Sequence, residues 1–210
     1  MFSALTRAWE LSPAEEQYVD LQQGTHCKVC RANVRSMALA RAILAFMGSE
    51  NTLDAFLQTR DAASLRVLEV NEAGTLHGRL RLLPRHRLVA YPEHDLQHLV
   101  MPDESFDLVV HSDTLEHVPD PIQALSECRR VLTTKGRLAF TVPVIPGRLS
   151  RSREGMAPSF HGPPDCTDPG MLVHTEFGAD CWSYVLLAGF SSCTMLPFCF
   201  PAGLAMLAER

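Results

Sequence analysis

Pro102-Asp103-Glu104-Ser105-Phe106-Asp107-Leu108-Val109-Val110-His111-Ser112-Asp113-Thr114-Leu115-Glu116-His117-Val118-Pro119-Asp120-Pro121 is the stretch on which the fold turns. Phe106 to His111 is a short, largely apolar run bounded by turn formers, the pattern of a buried strand. Asp120 then stands as an N-cap, with Pro121 at the first helical position, so a helix is expected from Pro121 to Leu132. Arg137 to Val142 supplies the next strand. A strand, a loop, a helix and a second strand in succession form the unit that builds a parallel sheet.

The same alternation extends in both directions after Ser64. Upstream, strands are expected at Arg66 to Val70 and Arg87 to Tyr91, with a helix from about Thr75 to Leu83 between them. Downstream, a helix from Ala179 to Ala188 stops at Gly189, and strands follow at Ser191 to Phe198 and Leu204 to Glu209. Only Pro201 to Gly203 and their neighbours separate that last pair, which predicts an antiparallel hairpin at one edge of the sheet. Before Ser64 the chain reads as helical. Ser12-Pro13-Ala14-Glu15 combines an N-cap, a first-turn proline and a capping-box glutamate, starting a helix toward Gln22. Val34 to Met47 is rich in helix formers and stops at Gly48. These readings divide one domain into a helical cap, residues 1–63, and an α/β core, residues 64–210, with a proline- and glycine-bearing loop at 143–172.

The totals agree with one globular domain of 210 residues that is 46% hydrophobic and 20% charged. A net charge of −5 gives no drive toward nucleic acid, and no apolar run is long enough to span a bilayer, so neither nucleic acid nor membrane is expected as a partner. Met1 to Glu10 contain Arg7, Trp9 and Glu10 where a signal peptide would be apolar, and the seven scattered cysteines do not form a disulfide framework; both point to a cytoplasmic setting. Cys27-x-x-Cys30 has metal-knuckle spacing but lacks a second pair, so it is read as reduced thiols and no metal is expected. The sequence assigns no oligomeric state.

The segments Pro102 to Val109, Leu115-Glu116-His117-Val118 and Arg130-Val131-Leu132-Thr133-Thr134-Lys135-Gly136-Arg137-Leu138 resemble the central motifs of type 11 class I methyltransferases. Phe177-Gly178-Ala179-Asp180 and Ala188-Gly189-Phe190 are similar to the late helix and strand of those enzymes, and Phe160 to Pro164 to a loop of a bacterial subgroup. The resemblance implies a Rossmann-like α/β fold with a mostly parallel seven-stranded sheet, ordered 3-2-1-4-5-7-6 and carrying an antiparallel edge strand, with helices on both faces. It also implies S-adenosyl-L-methionine as cofactor, S-adenosyl-L-homocysteine as product, and a small-molecule or glycan-like methyl acceptor.

Carried over by motif, Glu69 would act near the amino acid end of the cofactor, and Val70, Asn71, Ala73 and Gly74 would form the turn beneath it. Asp95 would accept from the adenine amine, with Leu96 lending its backbone. Ser112 would line the methionine moiety, while Leu115 and His117 would wall the adenine. Glu93 would substitute for the acidic residue on the ribose, whose usual place is held by Pro92, and Arg35 would reach the cofactor carboxylate.

The sequence departs from the family pattern in two places. Asn71, Glu72, Ala73 and Thr75 replace most of a turn usually built on glycines, where only Gly74 remains; asparagine tolerates the left-handed backbone that such a turn needs. Too few residues separate the second strand from Leu99 for another helix and an independent third strand, which predicts a shortened sheet. This erosion also fits a non-catalytic scaffold of the same fold. In the long loop, Arg148, Arg151 and Arg153 would grip an anion or lie solvated, and His161, ahead of His174, is the candidate to deprotonate an acceptor hydroxyl.

Overall fold

The computed structural model describes residues 8–24, 26–163 and 165–210. Residues 1–7, which hold most of the Met1 to Glu10 segment read against a signal peptide and the start of the 1–63 cap, and Pro164 of the Phe160 to Pro164 segment lie outside the described residues. Helix α1 spans Pro13–Gly24 and α2 Val34–Phe46, followed by two short helices, α3 at Leu53–Phe56 and α4 at Arg60–Ser64. The alternating core then runs through β1 Val67–Val70, α5 His77–Leu80, β2 His86–Val89, β3 Phe106–Ser112, α6 Pro121–Val131 and β4 Leu132–Thr141. After β4 come β5 Val144–Ile145, β6 Arg151–Ser152 and β7 Thr175–Gly178, then α7 Cys181–Leu187, β8 Ser192–Phe198 and β9 Gly203–Glu209.

The main sheet has six strands in the order β2-β1-β3-β4-β9-β8. Strands β2, β1, β3 and β4 are mutually parallel, whereas β9 is antiparallel to both β4 and β8. The expected hairpin therefore forms, but the antiparallel strand lies second from the edge and the edge strand β8 runs with the others. The sheet is shortened from seven strands to six, as expected: the residues between β2 and β3 are spent on turns, so among the described residues no strand flanks β2 on its outer side. Helix α5 is also shorter than the Thr75 to Leu83 expectation, because Gly74–Leu76 forms a 3-10 turn before it.

Alternation along the strands sets the two cores. Val67, Leu108, Val110 and Ala139 pack against α2 through Ala38, Leu39, Ala42 and Ile43. Leu68, Val109, Leu138 and Phe140 face the opposite way and meet α6 and α7 through Leu125, Cys128 and Val185. Side chains of successive strand residues point to opposite faces, so a strand covered on both sides must be apolar throughout, as β1, β3 and the end of β4 nearly are. Asp120 caps α6 as predicted, its Oδ1 accepting from the amides of Ile122 at 3.1 Å and Gln123 at 3.0 Å. Ser12 and Glu15 also form their capping box, the Ser12 amide donating to Glu15 Oε2 at 2.7 Å. Among the described residues, no helix is long and apolar enough to cross a membrane.

The 143–172 loop is more ordered than its composition suggests. It contributes β5 and β6 to a second sheet of order β5-β7-β6. Neither reading of its arginines holds, since all three are structural. Arg148 donates to both carboxylate oxygens of Glu15, at 2.7 and 2.8 Å, and to the backbone carbonyls of Trp9 and Glu10. Arg151 and Arg153 converge on buried Glu176 of β7. Charged groups can enter this interior because each finds an opposite charge and hydrogen bonds there. The hydrogen bond from Arg148 drops the Glu15 pKa to about 2, against a smaller opposing effect of burial.

Gly178 closes β7 where the chain crosses its own loop. A Cβ there would lie 2.2 Å from the Arg148 carbonyl oxygen and 2.4 Å from the Leu149 carbonyl carbon. Backbone cannot step aside as a side-chain end can, so Gly178→Ala is expected to cost about 3 kcal/mol or more, the upper range for overpacking. Urea unfolding measures this, and a loss under about 0.5 kcal/mol, within the range of neutral surface changes, would show that the crossing is loose.

Candidate active site

In open α/β sheets the ligand crevice lies beyond the carboxyl ends of the strands, where the order reverses. Here that place is the fan of turns after β1, β2 and β3. Asn71 follows β1 with φ 54°, as does Gly74 with φ 54°, so both adopt the left-handed backbone the turn requires. Asn71 ties the fan together: its amide nitrogen donates to Thr114 Oγ1 at 3.3 Å and its Oδ1 accepts from the Tyr91 amide at 3.1 Å. Helix α2 lies directly over the turn, and a Cβ on Gly74 would stand 3.2 Å from Ser36 Oγ. The Ser36 hydroxyl is buried and has no hydrogen-bond partner among the described residues.

The residues singled out from the sequence divide among several environments. Glu69 is buried beneath the turn, where its carboxylate accepts from the Ala73 amide at 2.8 Å and is bridged by His77 Nδ1 at 3.0 Å and His86 Nε2 at 2.6 Å. It braces the turn from below. Val70, Leu96 and Leu115 have their side chains in the main core, and Ala73 is in the core on the α2 face. Glu93 is exposed. Asp95 accepts from the backbone and side-chain amides of Gln97, at 2.8 and 3.2 Å. Burial raises its pKa, yet these hydrogen bonds and His98 outweigh that and leave it lowered. Ser112 shares a 2.8 Å hydrogen bond with Thr141. Arg35 reaches the fan from α2 and pairs with Asp113 just after β3.

The turn after β3 also assembles a group that the sequence scatters. His117 Nδ1 hydrogen bonds to the Leu172 carbonyl at 2.9 Å, and its Nε2 lies 3.1 Å from His161 Nδ1. Glu116 Oε1 stands 3.7 Å from His117 Nε2 and 3.6 Å from His161 Nδ1. The long loop brings His161 there, for His161 donates its amide to the Met171 carbonyl and His174 donates its own to the Glu116 carbonyl. Trp9, from the N-terminal segment, lies beside the His161 ring and donates to Ser159 Oγ at 3.0 Å.

Burial governs the protonation of this trio. The Glu116 carboxyl is pushed up to about 8 by burial, against the counter-pull of a backbone hydrogen bond and Arg35. Burial, then the charges of His117 and Arg35, bring His161 down to about 3. His117 is lowered for the same first reason, its bond to Leu172 opposing. Both imidazoles are therefore neutral at pH 7, and Glu116 is the member whose titration falls near neutrality. Glu116 is the functional candidate that the sequence reading passed over in favour of its neighbours. Its signal was an acidic residue in the turn after a buried strand, next to a histidine.

With this geometry in view, the likeness to known proteins is specific in one half of the chain. The model of the methyltransferase domain family matches residues 47–140. A probable S-adenosylmethionine-dependent methyltransferase of Mycolicibacterium smegmatis is 36% identical over 81 residues, covering 36% of this chain and 28% of that protein. A ubiquinone biosynthesis O-methyltransferase of Alkalilimnicola ehrlichii is 32% identical over 83 residues, covering 39% and 34%. The chain thus spans about a third of the length of these curated relatives. Among solved structures, a possible histamine N-methyltransferase of Thermotoga maritima is similar with TM-score 0.46 and 15% identity, over 100% of both chains. The YcgJ protein of Bacillus subtilis gives TM-score 0.45 and 15% identity, over 77% of this chain and 70% of that one.

Proposed function

We propose that this chain transfers a methyl group from S-adenosyl-L-methionine to a small-molecule or glycan-like acceptor. The observation that carries the reading is the turn after β1. It has lost most of the glycines usual in the family, yet keeps left-handed backbone at Asn71 and Gly74 at the reversal point of the sheet. The site residues fit such a cofactor: a backbone turn that can approach a ligand closely, a buried Ser36 hydroxyl above it with no partner among the described residues, and the Asp95 carboxylate in the turns after β2.

In this reading Asn71, Ala73 and Gly74 present backbone to the cofactor, Asp95 accepts from the adenine amine and Leu96 offers its amide. Ser112 lines the methionine end, with Glu69 holding the turn in shape. Val70, Leu115 and His117 support the walls, Glu93 serves the ribose side, and Arg35 lends positive charge from α2. The cofactor supplies an electrophilic methyl on a sulfonium; the protein supplies position, since holding a nucleophile in line with that methyl removes much of the entropic barrier. For a hydroxyl acceptor, His161 is the proposed recipient of the proton, since burial keeps its imidazole neutral and able to accept one.

Calorimetric titration with S-adenosyl-L-methionine and S-adenosyl-L-homocysteine tests the assignment. One ligand per chain is expected. Asp95→Ala should weaken it roughly ten- to a hundredfold, the worth of a hydrogen bond to a charged group. Absence of binding at millimolar ligand overturns the proposal in favour of a scaffold of the same fold.

A further inference from the structure

We infer that Glu116, His117 and His161 form a binding site for a divalent transition metal of the zinc class. The three ligand atoms, Glu116 Oε1, His117 Nε2 and His161 Nδ1, form a triangle with edges of 3.1, 3.6 and 3.7 Å. Ligands about 2.0–2.1 Å from a tetrahedral ion lie about 3.3 Å from one another, so the triangle needs to adjust by only a few tenths of an ångström to hold one.

Four further observations point to a cation. Beyond its own backbone amide and the field of Arg35, neither carboxylate oxygen of Glu116 has a hydrogen-bond partner among the described residues, although the side chain is 1% exposed. A buried carboxyl in that state is poorly stabilised by its surroundings, and a coordinated ion supplies what is missing. His117 is oriented from behind: Nδ1–H donates to the Leu172 carbonyl, which leaves the Nε2 lone pair aimed at the other two ligands. Metal-bound histidines are held this way by their second nitrogen. The backbones of Glu116 and His161 are fixed by the loop, through the amides of His174 and His161. Finally, Arg35, the nearby cation, pairs with Asp113 and acts on Glu116 through its field, with no hydrogen bond to the carboxylate oxygens. Arg35, Asp113 and ionised Glu116 together carry one net negative charge, which a divalent ion overcompensates by only one.

Two imidazoles and one carboxylate suit zinc, cobalt or ferrous ions better than magnesium or calcium, which prefer all-oxygen shells. Three protein ligands leave a fourth position for an oxygen ligand, as in open rather than structural sites. His117 and His161 retain 12% and 21% side-chain exposure, which gives an ion a way in. The other clusters do not make the same case. Glu69, between His77 and His86, is already satisfied by hydrogen bonds from both rings and the Ala73 amide. Cys27 and Cys30 lie outside every three-ligand group found among the described residues.

The test is titration of the untagged, chelator-treated full chain with Co²⁺, followed by visible absorption, with Zn²⁺ as competitor. The expected result is one Co²⁺ per chain, with the intense visible bands of four-coordinate cobalt, no sulfur-to-cobalt charge-transfer band, and displacement by Zn²⁺. Glu116→Gln and His161→Asn should each weaken binding at least tenfold, while the Cys27→Ser/Cys30→Ser double variant and His77→Asn leave it unchanged. Thermal unfolding separates binding from folding. Metal-free Glu116→Gln should melt no lower than the parent, since it loses a buried ionisable group, yet gain no melting temperature from Zn²⁺. Binding that survives both Glu116→Gln and His161→Asn, that disappears with the cysteines or His77, or that is absent at submillimolar Co²⁺ overturns the inference.

Discussion

Replacing Arg153 by methionine is expected to destabilise the chain by about 3 kcal/mol, near the lower end of the range for breaking a buried ion pair. Arg153 and Glu176 pair with side chains each 4% exposed. Arg153 also donates to the carbonyls of Ala157, at 2.7 Å, and Ala8, at 3.4 Å. The cost comes mainly from stranding Glu176, because an unpaired buried charge has neither water nor a counterion. Arg151 still donates to Glu176 Oε2 at 2.7 Å and keeps the effect from the top of the range. Adding Glu176→Gln to Arg153→Met should restore part of the loss, since a neutral amide tolerates the site better. Urea unfolding of the single and double variants measures both. A single-variant cost below about 1 kcal/mol, the level of an exposed pair, would mean that the pair does not hold the second sheet together.

Acidification should expose a second weak point, His111. Its ring is fully buried in β3, 4.9 Å from the Phe140 ring, and neither nitrogen has a partner among the described residues. Burial depresses its pKa from 6.5 to about 3. Between those values the unfolded chain binds a proton that the folded chain refuses, so stability falls as pH falls through that window, by about 1.4 kcal/mol per pH unit. From pH 6.5 to 4 the loss attributable to His111 is about 3 kcal/mol. His111→Leu should remove this contribution and add about 1 kcal/mol at neutral pH by eliminating two unsatisfied polar atoms. Unfolding curves at several pH values check the slope; an unchanged pH dependence in His111→Leu would show that the acid sensitivity arises elsewhere.

Several elements of the fold were legible because their signals are local. Asp120-Pro121 and Ser12-Pro13-Ala14-Glu15 carry their helix starts in adjacent residues, and the caps form as read. Strands β1, β3 and β4 are apolar because both faces are covered, which a run such as Leu108-Val109-Val110 announces by itself. Left-handed backbone at Asn71 was readable from side-chain chemistry. By contrast, β6 and β7 were hidden in the region after β4, since two- and four-residue strands have no periodicity to detect. The three arginines of that loop were read as solvated or anion-binding because their partners, Glu15 and Glu176, lie 133, 25 and 23 residues away.

The sequence alone determined the α/β architecture, the shortened far side and the left-handed turn after β1. These follow from alternation, capping and turn residues, interactions that reach only a few positions along the chain. Tertiary structure alone decided that Glu69 braces the turn from beneath and that Glu116, His117 and His161 meet. Each depends on groups far apart in the chain whose approach is set by packing the two cores and folding the 143–172 loop back over β3, and no local pattern encodes a distance of that kind.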